Sequence, residues 1–318
     1  MSYVCVRRKK GETMHRIRLY SRRDFMRMAM AAVPASVPML PKIDSVFNGV
    51  RLGSTTYSFR DLPRTPGASD AVDVMIRALT ECGAGETELS SPFLEPLPPE
   101  EGPYSQQAYD ELTRWRFSNS VDYFKAVRKK FQDAGISVFS YAVDFRSDLS
   151  DKELEKLFEQ AKALGVGVVS SSVQISVLGR LVPLAEKYKV SIALHGHSNV
   201  QDTDQFSSPE SFSKALKMSK YFKVNLDIGH FAAANFDSVE YISENHDRIT
   251  HLHVKDRKKN QGPNMPWGEG DTPIKQVLVL LKEKKYPIRA LVEYEHGGQG
   301  TPVEEVKKCM AYMRQALV

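Results

Sequence analysis

Four short runs in the C-terminal half of this chain alternate apolar and polar residues, and each closes on imidazoles or carboxylates. They are Ser191-Ile192-Ala193-Leu194-His195-Gly196-His197, Val224-Asn225-Leu226-Asp227-Ile228-Gly229-His230, Ile249-Thr250-His251-Leu252-His253-Val254-Lys255-Asp256 and Ala290-Leu291-Val292-Glu293-Tyr294-Glu295. Side chains two apart on a strand share a face. Ile192 and Leu194, Val224 and Leu226, Leu252 and Val254, and Ala290 and Val292 therefore form an apolar face. His195 and His197, Asp227, His251, His253 and Lys255, and Glu293 and Glu295 stand opposite. Four successive strands thus deliver ligand-type side chains to one side near their C-terminal ends, the layout of a metal site at the top of a parallel barrel. Mixed imidazole and carboxylate donors suit Mn, Zn, Co or Fe better than Ca or Mg.

The rest of the chain repeats the strand-helix rhythm. Strands are expected at 51–59, 84–90, 136–143 and 166–173 before the four runs above. Helices are expected at 70–82, 118–134, 150–164, 177–188, 208–218, 237–245, 273–285 and 302–317. Eight strands alternating with eight helices give a (β/α)8 barrel. The rival, an open doubly wound sheet, would carry a Gly-rich phosphate turn after an early strand, and none is present. Residues 91–117 break the rhythm with five prolines, and with Tyr104, Tyr109, Trp115 and Phe117. This insertion follows the second strand on its C-terminal side, so it is expected to overhang the site.

Charge matters here only through its placement. The net +5 hides nine Lys or Arg and two acids in residues 1–41, a surplus of +7 that leaves 42–318 at −2. The barrel is thus mildly acidic, which argues against a nucleic-acid partner. Ser21-Arg22-Arg23-Asp24-Phe25-Met26-Arg27 resembles a twin-arginine export signal, and an Ala-rich run from Met28 to Leu40 follows it. That run is too short and too broken by proline to be a stable membrane anchor. The organisation read from this is a signal peptide at 1–41 and one barrel domain at 42–318. The protein is expected to be exported or periplasmic, with the twin-arginine machinery as a partner. Cys82 and Cys309 belong to the first and last helices, neighbours in a closed barrel. A disulfide between them is conceivable, and two buried free thiols are the preferred reading.

The runs Leu226-Asp227-Ile228-Gly229-His230, His253-Val254-Lys255-Asp256, Gly268-Glu269-Gly270, Lys285-Tyr286 and Val292-Glu293 resemble the sugar phosphate isomerase/epimerase family. That is the xylose isomerase-like TIM barrel group, which includes tagatose 3-epimerase, inosose dehydratase and endonuclease IV. The resemblance implies one divalent metal ion held by His195, Asp227, His253 and Glu293. It implies catalytic roles for Glu293, His230 and Lys255, and places Glu88, His197 and Glu269 at the substrate. Trp115 and Trp267 are candidates to stack on a sugar.

One departure matters. Ketose epimerases of this family have a glutamate ligand on the fifth strand, where this chain has His195, and a ligated imidazole cannot shuttle a proton as that carboxylate does. The implied activity is therefore a metal-dependent isomerase or epimerase acting on a sugar or keto-sugar. A lyase or hydratase on a keto-sugar or 3-keto-glycoside is the alternative. A non-catalytic periplasmic sugar-binding protein is the reading of another class. Homo-oligomers are compatible with any of these. The trinuclear cluster of the endonuclease IV relatives would need histidines on strands three and four, and Val138-Phe139-Ser140-Tyr141-Ala142 and Val168-Val169-Ser170-Ser171-Ser172 have none.

Overall fold

The computed structural model describes residues 42–64, 69–95, 105–118 and 121–318. The export-signal reading of 1–41, and the middle of the 91–117 insertion with Tyr104, lie outside the described residues. Eight parallel strands form a closed ring: β1 (Val50–Thr55), β2 (Glu86–Ser90), β3 (Ser137–Ala142), β4 (Val168–Ser171), β5 (Ser191–His195), β6 (Phe222–Asp227), β7 (Ile249–Val254) and β8 (Arg289–Val292). Each pairs with the next, and β8 pairs with β1, so the ring has no open edge. A ring of eight leaves an interior that side chains fill.

The helices between them are α1 (Ser69–Glu81), α2 (Gln106–Ser118), α3 (Val121–Asp133), α4 (Asp151–Leu164), α5 (Leu178–Tyr188), α6 (Pro209–Leu216), α7 (Ile228–Ala233), α8 (Ser238–Asn245), α9 (Ile274–Lys284) and α10 (Pro302–Ala316). Their boundaries have local causes. Ser150 and Glu153 form a reciprocal capping box at the start of α4, and Gly165 in the left-handed region stops it. Thr301 and Glu304 repeat the device at α10, with Pro302 in its first turn. Along α4, Leu154, Leu157, Phe158 and Ala161 are all fully buried. That is the stripe an outer helix lays on the barrel. Among the described residues no helix is long and apolar enough to cross a membrane.

The even-numbered positions of β5–β8 face the helices: Ile192, Leu194, Val224, Leu226, Leu252, Val254, Ala290 and Val292 are at most 1% exposed. The odd-numbered positions point into the ring, where Ala193 and Leu291 share the lining with polar side chains. At the bottom, Glu86 pairs with Arg51 and Arg289. The Arg289 guanidinium lies 3.7 Å over the Phe139 ring, whose edge meets His251. Buried polar groups are costly unless bonded, and the two guanidiniums meet that need for Glu86.

Three expectations need correction. The first strand ends at Thr55, and Thr56–Phe59 forms a 3-10 turn. Ser58 pins that turn, donating to Val292 O at 3.0 Å and accepting from Tyr294 N–H at 3.0 Å. Residues 42–48 are more than a connector, because Val46–Phe47 folds back on Val50–Arg51 through Asn48 and Gly49, both at positive φ as a tight hairpin requires. The insertion contains a helix, α2, which the proline-rich composition concealed.

Candidate active site

The site lies where the C-terminal ends of β5–β8 converge. His195 ends β5, Asp227 ends β6, His253 lies on β7 and Glu293 follows β8. They are 9%, 2%, 4% and 6% exposed. One ligand-type atom from each lies within 4.8 Å of the others. The spacing Asp227-x-x-His230 has a local cause as well: Asp227 caps α7, its Oδ1 accepting the His230 N–H at 2.7 Å. Its other oxygen is left for the site.

Three of these buried atoms, His195 Nδ1, His253 Nδ1 and Asp227 Oδ2, have no hydrogen-bond partner. The Lys255 ammonium is 2.9 Å from Asp227 Oδ2, an ionic contact poorly aimed for a hydrogen bond. Leaving buried lone pairs unmatched costs about 1–3 kcal/mol each. Convergent buried nitrogen and oxygen donors of this kind are what a divalent transition ion satisfies. The residues present fit such an ion. His197 belongs to a different trio, with His195 and His230.

Lys255 is fully buried and sits among three carboxylates: Asp227, Glu293 at 2.8 Å, and Glu295. Burial alone would lower its pKa, but these neighbours outweigh burial and raise it, so it stays an ammonium. Burial pushes Asp227 up to about 7 against the pull of Lys255. Burial also works on Glu293, yet His253, 3.1 Å away, and Lys255 together hold its carboxyl well below the usual range. Glu293 is therefore a carboxylate, as a general base must be.

His230 is positioned from outside the four runs. Arg257 Nη1 donates to His230 Nδ1 at 2.6 Å and to Ser198 Oγ at 3.1 Å. The guanidinium is itself anchored, through Nε and Nη2, on Gly262 O. Burial, with Lys255 and His195 nearby, keeps the His230 imidazole neutral. Its other nitrogen, Nε2, lies 2.9 Å from the Lys255 ammonium, so the ring is held between two cationic donors.

The cavity above these residues has a volume of about 270 Å³. Tyr57, Asp144, Ser171, Ser172 and Glu295 line it together with His197, whose Nε2 is 3.2 Å from Ser172 Oγ. Of the other residues singled out in the sequence, Glu88 also lines it, but its oxygens are taken by protein. Trp115, Trp267 and Glu269 do not line it. Trp115 packs edge-on against Tyr123 and Phe124, and Trp267 edge-on against Tyr312. Both are held in the scaffold by aromatic packing. Glu269 is exposed, and the glycines beside it explain the motif: Gly268 and Gly270 N–H donate to Asp256 Oδ2 at 2.8 and 3.0 Å. A Cβ on Gly270 would lie 1.9 Å from Asp256 Oδ1.

Sequence reasoning missed Arg257, Asp144 and Tyr57. Arg257 continues the odd-numbered series 251, 253, 255, so the alternation could have found it. Asp144 extends β3 in the same way, two past Ala142. Tyr57 could not be found so, because it sits on the 3-10 turn.

The family described as xylose isomerase-like TIM barrel matches residues 107–316. An L-ribulose-5-phosphate 3-epimerase, UlaE, of Salmonella paratyphi A is 27% identical over 138 residues, which cover 42% of this chain and 46% of that protein. The match thus spans less than half of the relative's length. Among solved structures, the IolI protein with a bound zinc atom superposes with a TM-score of 0.61 at 18% identity, over 84% of this chain and 98% of that one. An L-ribulose 3-epimerase also gives 0.61, at 12% identity over 84% and 94%. Eight paired strands, a site at their C-terminal ends and a family match over most of the barrel agree: the chain belongs to the xylose isomerase-like TIM barrel family.

Proposed function

We propose that this protein is a divalent-metal-dependent isomerase or epimerase of an unphosphorylated sugar or keto-sugar. The observation that carries the reading is the convergence of His195, Asp227, His253 and Glu293, three of which present a buried ligand atom without a hydrogen bond. These four residues would hold a zinc, manganese, cobalt or iron ion, which when bound polarises a carbonyl and its neighbouring hydroxyl and so acidifies the C–H beside them. Glu293 takes that proton as a carboxylate. His230 and Lys255, paired at 2.9 Å through Nε2 and the ammonium, are the groups placed to give a proton or a hydrogen bond to the substrate oxygen where charge develops. Lys255, held as an ammonium, adds fixed positive charge beside it.

The charges in the cavity wall support an unphosphorylated substrate. Asp144, Glu293 and Glu295 line it, and the ammonium of Lys255 is already engaged by Asp227, Glu293 and Glu295. The loop after β8 is a place where barrels often bind phosphate. Here the N–H of Gly298 donates to Tyr294 and that of Gly300 to Glu305, and Glu304 and Glu305 occupy the first turn of α10. The relative UlaE is named for a 5-phosphate; this wall would repel one. The Arg22-Arg23 motif supports the same substrate class through export to the periplasm.

A second reading, lyase or hydratase, is favoured by His195. An imidazole ligand there leaves proton removal one-sided, although Asp144 and Glu295 offer further carboxylates in the cavity. Incubating the metal-supplemented full-length protein with unphosphorylated ketoses, aldoses and 3-keto-glycosides in deuterated water tests these readings by NMR. Deuterium at one carbon with no loss of water or aglycone supports the isomerase or epimerase. An unsaturated or cleaved product supports the lyase. Binding without turnover supports a sugar-binding protein, and preferential turnover of phosphorylated sugars contradicts the charge argument.

A further inference from the structure

We infer that Glu88 is a positioning residue for the metal centre: it holds the Nε2–H edge of His253 and thereby turns the Nδ1 lone pair toward the ligand cluster. The inference rests on the metal-centre reading above. Glu88 stands on β2 and is 1% exposed. Its side chain crosses the barrel interior to β7, three strands away around the ring. Oε1 lies 2.9 Å from His253 Nε2. Oε2 lies 2.8 Å from His251 Nε2 and accepts from Ser140 Oγ at 2.7 Å.

These contacts leave little choice of tautomer. A carboxylate only accepts, so each imidazole nitrogen facing it carries a proton. His251 is satisfied at its other nitrogen by Thr250 Oγ1 at 2.8 Å. His253 Nδ1 faces a second carboxylate, Glu293 Oε1 at 3.1 Å, inside the cluster. It too holds a proton in the metal-free protein, one that an ion bound there would displace while Nε2–H stays on Glu88. The Asn225 amide also touches His253 Nε2, at 3.0 Å through its nitrogen, while its oxygen is unpaired. That nitrogen also donates to Ser170 Oγ at 2.9 Å. With the amide turned over, its oxygen accepts from both Ser170 Oγ–H and His253 Nε2–H, the orientation consistent with the Glu88 contact. Metal-ligating histidines commonly give their other N–H to a carboxylate, which fixes the ring and raises its basicity. Glu88 therefore serves the metal, not the sugar, and its lining of the cavity is incidental.

The test uses the full-length protein and zinc. Glu88→Gln keeps the shape, removes the charge and replaces one of the two acceptor oxygens by a donor. Its zinc affinity, measured by chelator competition, is expected to fall roughly 10- to 100-fold. Unchanged affinity overturns the inference, including the case in which only the melting temperature of the metal-free protein drops, because that outcome marks a mere brace of the fold. Should the variant not fold, long-range proton–nitrogen NMR of zinc-loaded wild type decides. Protonated Nε2 with metal on Nδ1 of His253 is expected, and the reverse tautomer overturns the inference. Wild-type protein that binds no zinc overturns the metal-centre reading and this inference with it; unchanged affinity in Glu88→Gln overturns this inference alone.

Discussion

Arg257 Nη1 stands 2.6 Å from His230 Nδ1, and the Lys255 ammonium stands 2.9 Å from His230 Nε2. The guanidinium thus fixes the ring in the orientation that keeps Nε2 beside the ammonium at the cavity. Arg257→Met should therefore lower kcat by roughly 100-fold, the lower end of what a positioned proton donor contributes. KM and metal content should change little. Steady-state kinetics on the sugar found in the deuterium screen checks this, and an unchanged kcat would show that His230 needs no such orientation.

Gly229 is a second point of leverage. A Cβ there would lie 2.5 Å from Lys255 Cγ and 2.8 Å from Lys255 O. Overpacking of this kind costs about 1–3 kcal/mol, against about 1 kcal/mol gained from Ala in a helix. Crowding wins, so Gly229→Ala should unfold at lower denaturant concentration than wild type. A midpoint equal to or above that of wild type would contradict the close packing of α7 on Lys255.

The ion pair between Arg116 and Glu95 ties α2 to the segment after β2. It is two-pronged, at 2.8 and 3.1 Å, with side chains 8% and 4% exposed. Removing one partner strands a buried charge, so Arg116→Ala should cost roughly 3–5 kcal/mol. Glu95→Leu combined with Arg116→Met removes both charges and should recover most of that. Urea unfolding of the three proteins measures both effects; equal losses in single and double variants would refute the explanation.

Cys82 and Cys309 are free and buried, with Cys82 Sγ 3.6 Å from Val303 O on α10. Burial pushes the Cys82 thiol up to about 12 and raises Cys309 as well. The thiolate is the reactive form, so iodoacetamide at pH 8 should leave both unmodified in the native protein and label both after denaturation. Peptide mapping by mass spectrometry reads this directly. Native labelling of either at pH 8 would contradict the burial.

Alternation along β5–β8 makes the heart of the site legible in the sequence itself, because a period of two places His195, Asp227, His253 and Glu293 on one face wherever the strands fall. The same regularity carries the strand-helix count and hence the barrel. What it could not reveal has physical causes. The role of Glu88 depends on a contact across the barrel from β2 to β7, invisible to local pattern. Trp115 and Trp267 read as stacking surfaces because an aromatic in a loop looks alike whether it meets sugar or Tyr123. α2 was hidden by five prolines upstream of it in residues 91–117.

The most direct test of the account is elemental analysis of the purified full-length protein beside a His195→Ala/Asp227→Ala double variant. The account predicts about one equivalent of a divalent transition metal in the wild type and none retained in the variant. No metal in either protein, even after reconstitution with zinc, manganese and cobalt, would contradict it and leave a cavity that binds sugar without chemistry.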